Sequence, residues 1–209
     1  MDLITNIEKL RGKMRVVIND ETVILVPISL FRERPLNSGD EIDLPEYDQW
    51  LMLRQYRHAL DRAVVFLTTR ARSIKEVERK LLQCGYLPST VEMVLLKLQS
   101  MNILNDEDFA SQWVEARSNK HLGKRRIQQE LLNKGVNKKL AEETLEKLDE
   151  SAQAEQAFEL AARLSSRYAK DEPRKAVQKL IQALVRRGFN WDTAKEAAFK
   201  ALQTDDFNA

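Results

Sequence analysis

The residue types that do chemistry are few in this chain and lie far apart. Its two histidines, His58 and His121, and its single cysteine, Cys84, have no metal-ligand spacing and form no nucleophile–histidine pair. The run His121-Leu122-Gly123-Lys124-Arg125-Arg126-Ile127 contains Gly-Lys but lacks the first glycine and the hydroxyl residue of a phosphate loop. Asp106, Glu107 and Asp108 are better explained as favoured charge at a helix start than as a metal site. What remains is basic. Arg117, Lys120, Lys124, Arg125, Arg126, Lys134, Lys138 and Lys139 are opposed only by Glu130 between 117 and 139. Such a cluster is either a solvated helix face or a contact for phosphates or an acidic protein groove, and Arg70, Arg72, Arg186 and Arg187 would add to it. No aromatic residue is interleaved with these positions, so base stacking is not suggested. The chemistry is that of binding, with no catalytic residue, metal or cofactor expected.

The elements that carry the cluster are repeated. In Gly123–Val136, GKRRIQQELLNKGV, Ile127 and Leu131 lie one helical turn apart with Leu132 beside them, and Gly135 stands where the helix must end. The same pattern surrounds Gly85, with Val77, Leu81 and Leu82, and Gly188, with Leu180, Leu184 and Val185. Downstream of the three glycines the register continues through Val91, Leu95 and Leu98; Ala141, Leu145 and Leu148; Ala194, Ala198 and Ala201. The glycines are 50 and 53 residues apart, so a unit of roughly fifty residues occurs three times.

Composition agrees with a helical repeat protein. Of 209 residues, 43% are apolar and 32% charged, with only six glycines and five prolines to make turns. The net charge of +2 favours no partner class, but its sign alternates along the chain: acidic over 1–50, basic over 51–104, acidic over 105–155, basic over 156–209. One cysteine forbids an internal disulfide, no apolar run has the length of a membrane span, and the first residues lack the layout of a secretion signal; a cytoplasmic protein is expected.

In chain order, 13–18 and 22–28 predict two strands joined by a turn at Asn19-Asp20-Glu21, with Pro27 at an edge or bend. Residues 1–46 form a β-rich appendix of two or three strands that leans on the helical part of the chain. Helical spacing begins at Tyr47 and runs to about Ala71 through Trp50, Leu51, Leu53, Tyr56, Leu60, Val64 and Leu67. Ser73 with Glu76, and Ser89 with Glu92, predict capping boxes for helices over 73–84 and 89–101. Repeat 2, 105–150, starts its helices near Asn105 or Asp106, at Gly123 and at Asn137; repeat 3, 151–209, follows a first helix with one opened by Pro173 and one capped by Asp192. The fold expected is mostly α: three tandem three-helix repeats, with repeat 1 over 47–104, in an elongated curved array on the order of 75 Å long, preceded by a small β-hairpin region.

The runs RARSIKEVERKLLQCGY, VEMVLLKLQSMNILNDEDFASQWVEAR and GKRRIQQELLNKGV resemble the RecX family of bacterial regulators of the RecA recombinase. The match covers about 63–150 and extends more weakly over the third unit, and the N-terminus is similar to that of longer members. Asn102 stands where the family pattern usually has a turn glycine, and Phe66 where a tyrosine is common; asparagine tolerates the left-handed backbone, so the turn should survive. The resemblance implies a non-enzymatic monomer that docks in the helical groove of a RecA filament on single-stranded DNA and inhibits strand exchange, ATP turnover and LexA cleavage. The other class of function open to these residues is a helical protein that binds DNA directly, without RecA.

Overall fold

The computed structural model describes residues 1–203; residues 204–209, the end of the expected third repeat, lie outside the described residues. Among the described residues, four strands and ten helices occur in the order β1 (Asp2–Leu10), β2 (Lys13–Ile18), β3 (Thr22–Pro27), α1 (Ile28–Glu33), β4 (Glu41–Ile42), α2 (Leu44–Thr68), α3 (Ile74–Gln83), α4 (Pro88–Ser100), α5 (Asp106–Ser118), α6 (Lys124–Asn133), α7 (Lys138–Glu146), α8 (Glu150–Ser165), α9 (Pro173–Arg186) and α10 (Trp191–Leu202). They group into two compact units, Met1–Asn105 and Asp106–Ala209.

In the first unit an antiparallel sheet of order β3-β2-β1-β4 precedes the first three-helix repeat. The β2–β3 hairpin lies where the sequence puts it. Asn19 and Asp20 hold φ of 51° and 59°, the handedness a tight hairpin turn requires, and the Glu21 amide donates to the Ile18 carbonyl at 3.1 Å. Pro27 ends the edge strand, where its missing N–H leaves no ladder bond unmade. The sheet is larger than expected, because β1 and β4 add two strands. β1 alternates too weakly to read as a strand alone; β2 supplies its pairing along one side and β4 along the other. One sheet face, with Ile4, Val16, Ile18, Ile24 and Val26, shares a core with Tyr47 and Leu51 of α2 and with Leu87.

Helix α2 starts at Leu44, ahead of the expected Tyr47, because Asp43 caps it by accepting from the Glu46 amide at 3.1 Å. Its buried face is Tyr47, Leu51, Gln55, Ala59 and Ala63, at strict spacing of four. Leu53 and Val64, which the helical spacing of apolar residues includes, are exposed. Two alanines let α4 approach closely, and the buried Gln55 carbonyl oxygen accepts from the Leu87 amide at 2.9 Å and the Thr90 hydroxyl at 3.4 Å. A small-residue face with a central amide carries little hydrophobic signal, which is why apolar spacing selected its neighbours.

The Ser73–Glu76 capping box forms as expected, with bonds of 3.2 and 3.4 Å. The second, Ser89–Glu92, does not: Pro88 takes the first helical turn, Leu87 becomes the N-cap, and α4 begins before Ser89. In the second unit Gly123, Asn137 and Pro173 open α6, α7 and α9 as expected, whereas α10 is capped by Asn190, whose side chain accepts from the Thr193 amide at 2.7 Å, leaving Asp192 in the first turn.

The three repeat glycines end α3, α6 and α9 in one way. Gly85, Gly135 and Gly188 hold φ of 87°, 83° and 95°. Each donates to the carbonyl three residues back, and the next residue, Tyr86, Val136 or Phe189, donates to the carbonyl five back. Each repeat encloses its own core: Val77, Leu81, Val91 and Leu98 in the first; Ile127, Leu131, Ala141 and Leu145 in the second; Leu180, Leu184, Ala194 and Ala198 in the third. Asn102 adopts φ 53°, so the turn that resembles a glycine turn survives.

Candidate functional site

The basic residues separate into those held by local partners and those left facing solvent. Arg70 forms a fork on Glu76, at 2.7 and 3.2 Å, and thereby braces the α3 cap. Arg72 lies over the Phe66 ring at 4.0 Å and donates to the Thr69 hydroxyl, and partial burial lowers its pKa from the ordinary arginine value. Arg117 pairs with Glu130 at 2.7 Å and stacks on Trp113 at 4.2 Å, a ring that Lys134 also approaches at 5.1 Å. Lys138 and Lys139 each reach a glutamate one turn on, Glu142 and Glu143. Lys120 is exposed in the turn that follows α5.

The second unit brings Lys124, Arg125 and Arg126 together with Arg186 and Arg187. The cause is backbone contact between repeats 2 and 3. The Gly123 amide donates to the Arg187 carbonyl at 3.0 Å and the Arg125 amide to the Gly188 carbonyl at 3.2 Å. The unsatisfied amides at the start of α6 thus meet the unsatisfied carbonyls at the end of α9, and the opposite dipole ends adjoin. Glycine is required on both sides. A Cβ on Gly123 would overlap the Gly188 carbonyl group, and one on Gly188 would lie 2.9 Å from the Arg126 Cα, with closer atoms besides. Fifty residues earlier, the matching positions are Ser73 and Glu76, the capping box of α3; here they are Gly123 and Arg126, and a tertiary contact replaces the local cap.

This leaves three cations on the first turn of α6, where the helix dipole disfavours them. Arg126 has Glu130 at 3.5 Å. Lys124, Arg125, Arg186 and Arg187 make no ion pair among the described residues, and Lys124 exerts only a longer-range pull on Asp149, whose carboxyl is held below the usual range chiefly by Ser151. A cavity of about 260 Å³ opens beside them, lined by Lys124, Arg125, Gln153, Gly188, Asn190 and Thr193 with Glu150 and Phe189.

His121 and Arg163 join this cluster and were not singled out as binding residues by the sequence. His121 sits in the left-handed region, φ 51°, with Nδ1 3.6 Å from a Glu159 carboxylate oxygen and Nε2 against the Arg163 guanidinium. Partial burial first, then the Arg163 charge, pulls its pKa below the ordinary histidine value; Glu159 opposes this and Arg187 adds to it. The partners of His121, Glu159 and Arg163, lie in the next repeat, so no local pattern could have revealed this contact. Among the described residues no cluster of three His, Cys, Asp or Glu side chains could hold a metal, and no helix is long and apolar enough to cross a membrane.

Sequence models of the three RecX domains match this chain in order: the first three-helix domain over 59–98, the second over 105–145 and the third over 151–197. The regulatory protein RecX of Clostridioides difficile (strain 630) is 30% identical over 212 residues, the whole of both chains. The chain belongs to the RecX family. Another relative, the regulatory protein RecX of Listeria monocytogenes (strain EGD-e), is 32% identical over 167 residues, which are 79% of this chain and 61% of that one. A crystal structure of RecX from Lactobacillus salivarius aligns with a TM-score of 0.67 at 26% identity, over 71% of this chain and 97% of that one. A further RecX crystal structure, 24% identical, shares the fold with a TM-score of 0.66 over 97% and 99%. This RecX-family chain is therefore mostly helical, with three three-helix domains and a small N-terminal antiparallel sheet, in a family named for regulation.

Proposed function

We propose that this protein regulates the RecA recombinase without catalysing a reaction, as a cytoplasmic monomer that binds the RecA filament on single-stranded DNA, in its helical groove, and lowers strand exchange, ATP turnover and LexA cleavage. The observation that supports a contact surface is the Gly123–Gly188 junction, at which Lys124, Arg125, Arg186 and Arg187 make no ion pair among the described residues, the nearby carboxylates Asp149 and Glu150 notwithstanding. Four neighbouring cations repel one another in the free protein, and a partner bearing phosphates or carboxylates relieves that repulsion on binding. Arg70, Arg72, Arg117 and Lys134 have local duties and contribute less.

The test is a titration of RecA ATPase on single-stranded DNA. The full chain should inhibit at substoichiometric amounts, and the Lys124→Glu, Arg125→Glu, Arg187→Glu variant should need at least tenfold more protein with its melting temperature within about 2 °C. Inhibition unchanged in that variant removes the junction as the contact. The same unpaired cations favour a second reading, direct binding to DNA. In that case binding to bare oligonucleotide should need no recombinase and should weaken by roughly 0.7 log units per log unit of salt for each phosphate contacted.

A further inference from the structure

The surface between the last two helices of a repeat is treated differently in the three copies. In the first, the groove between α3 and α4 has a floor of Val91 and Leu95 and walls that include Leu82, Pro88 and Leu96. Val91 is buried, yet Leu82 is 40% exposed and Leu96 60%. The open space is about 350 Å³, and the charged side chains that line it are both carboxylates, Glu78 and Glu92.

At the matching place in the second copy, Gln128 donates to Glu142 at 3.3 Å across the groove, and Glu146 stands where the first has Leu96. In the third copy Phe199 takes that position and packs with Val185 and Leu202 against its own repeat core. One copy is latched by polar groups and one filled by its own aromatic ring. The first alone keeps two leucines facing water with nothing of its own repeat over them.

We propose that the α3–α4 groove of repeat 1 is a docking site for a basic amphipathic helix of a partner protein. The occupant's backbone conformation is dictated by the walls. Both are helices whose backbone groups are paired internally, so an extended peptide would lay unsatisfied amides and carbonyls over an apolar floor, whereas a helix brings only side chains. From Pro88 to Gln99 the groove spans on the order of 16 Å, three helical turns, which suits apolar side chains at i, i+4 and i+7. Its charge is dictated by the rim. Lys75 already engages Glu78 at 2.5 Å, but Glu92 has no ion pair among the described residues, so a lysine or arginine flanking the apolar stripe completes the site and an acidic helix is repelled. This surface is independent of the basic junction and takes a partner of opposite charge.

The experiment uses the full chain and a fluorescein-labelled, capped 16-residue helical peptide with leucines at i, i+4 and i+7 and lysines on both flanks, read by anisotropy, beside a twin in which every lysine is glutamate. The lysine peptide should bind saturably and at least tenfold tighter than its twin. Leu96→Glu, which installs the residue type the second copy carries, should weaken it at least tenfold, and Glu92→Lys should remove the preference for the lysine peptide. Both positions are exposed, and an unchanged thermal melt verifies the fold of each variant. Equal binding of the two peptides, or a dissociation constant within twofold after Leu96→Glu, overturns the proposal.

Discussion

His121 shows how a single residue acquires a role that its own sequence neighbourhood does not announce. Its ring stands between Glu159 and Arg163, with Arg187 close enough to be felt, and its folded pKa is depressed. The native state therefore binds fewer protons than the unfolded chain as pH falls below the ordinary imidazole value of about 6.5. The stability this site contributes is complete above that pH and is lost as pH drops through the depressed folded value. His121→Asn keeps a residue that tolerates φ 51° but removes the titration. Between pH 7.5 and 5 the parent should lose more melting temperature than the variant, by thermal denaturation followed by circular dichroism; parallel slopes would rule out a titrating histidine at the junction. The basic residues beside it were legible as a run, but their division into paired and unpaired was not. Arg117 looks like its neighbours in sequence, yet Glu130 and Trp113 occupy it.

At the scale of elements, what repeats locally is what the sequence discloses. The helix-ending glycines, the Ser73–Glu76 box and the β2–β3 hairpin depend on residues within a few positions, and each was readable. The α6–α9 junction was not, although a trace of it exists: Gly123 and Arg126 break the capping pattern at the positions of Ser73 and Glu76. Two substitutions separate the shared role of the glycines from the added one. Gly85→Ala meets a positive φ and only the flexible end of Lys13, at 2.6 Å, so it should cost about 1–2 kcal/mol. Gly188→Ala meets the same backbone penalty and, besides, the fixed backbone of Arg126; overlap of that kind adds about 1–3 kcal/mol. Urea denaturation should rank Gly188→Ala clearly below Gly85→Ala. Equal losses would mean that the two repeats do not lean on each other through this contact.

For the molecule as a whole, the division into Met1–Asn105 and Asp106–Ala209 separates two kinds of dependence. The N-terminal sheet cannot be detached from the first repeat, since Tyr47, Leu51 and Leu87 complete its core and Asp43 caps α2. The second unit has its own two repeat cores and every cation of the junction, joined by its own backbone bonds. Residues 106–209 expressed alone should therefore melt cooperatively and retain the junction. If that junction is the main contact, this half should displace the full chain from its anionic partner with the same dependence on salt, because the slope counts the ionic contacts made and all of those reside here. A chain beginning at Leu44 should fare worse, melting at lower temperature and binding a hydrophobic dye through the uncovered Tyr47, Leu51 and Leu87. A folded 106–209 whose salt dependence is much shallower than that of the full chain would place part of the ionic contact on the first unit, and Arg70 and Arg72 would be the cations to change next.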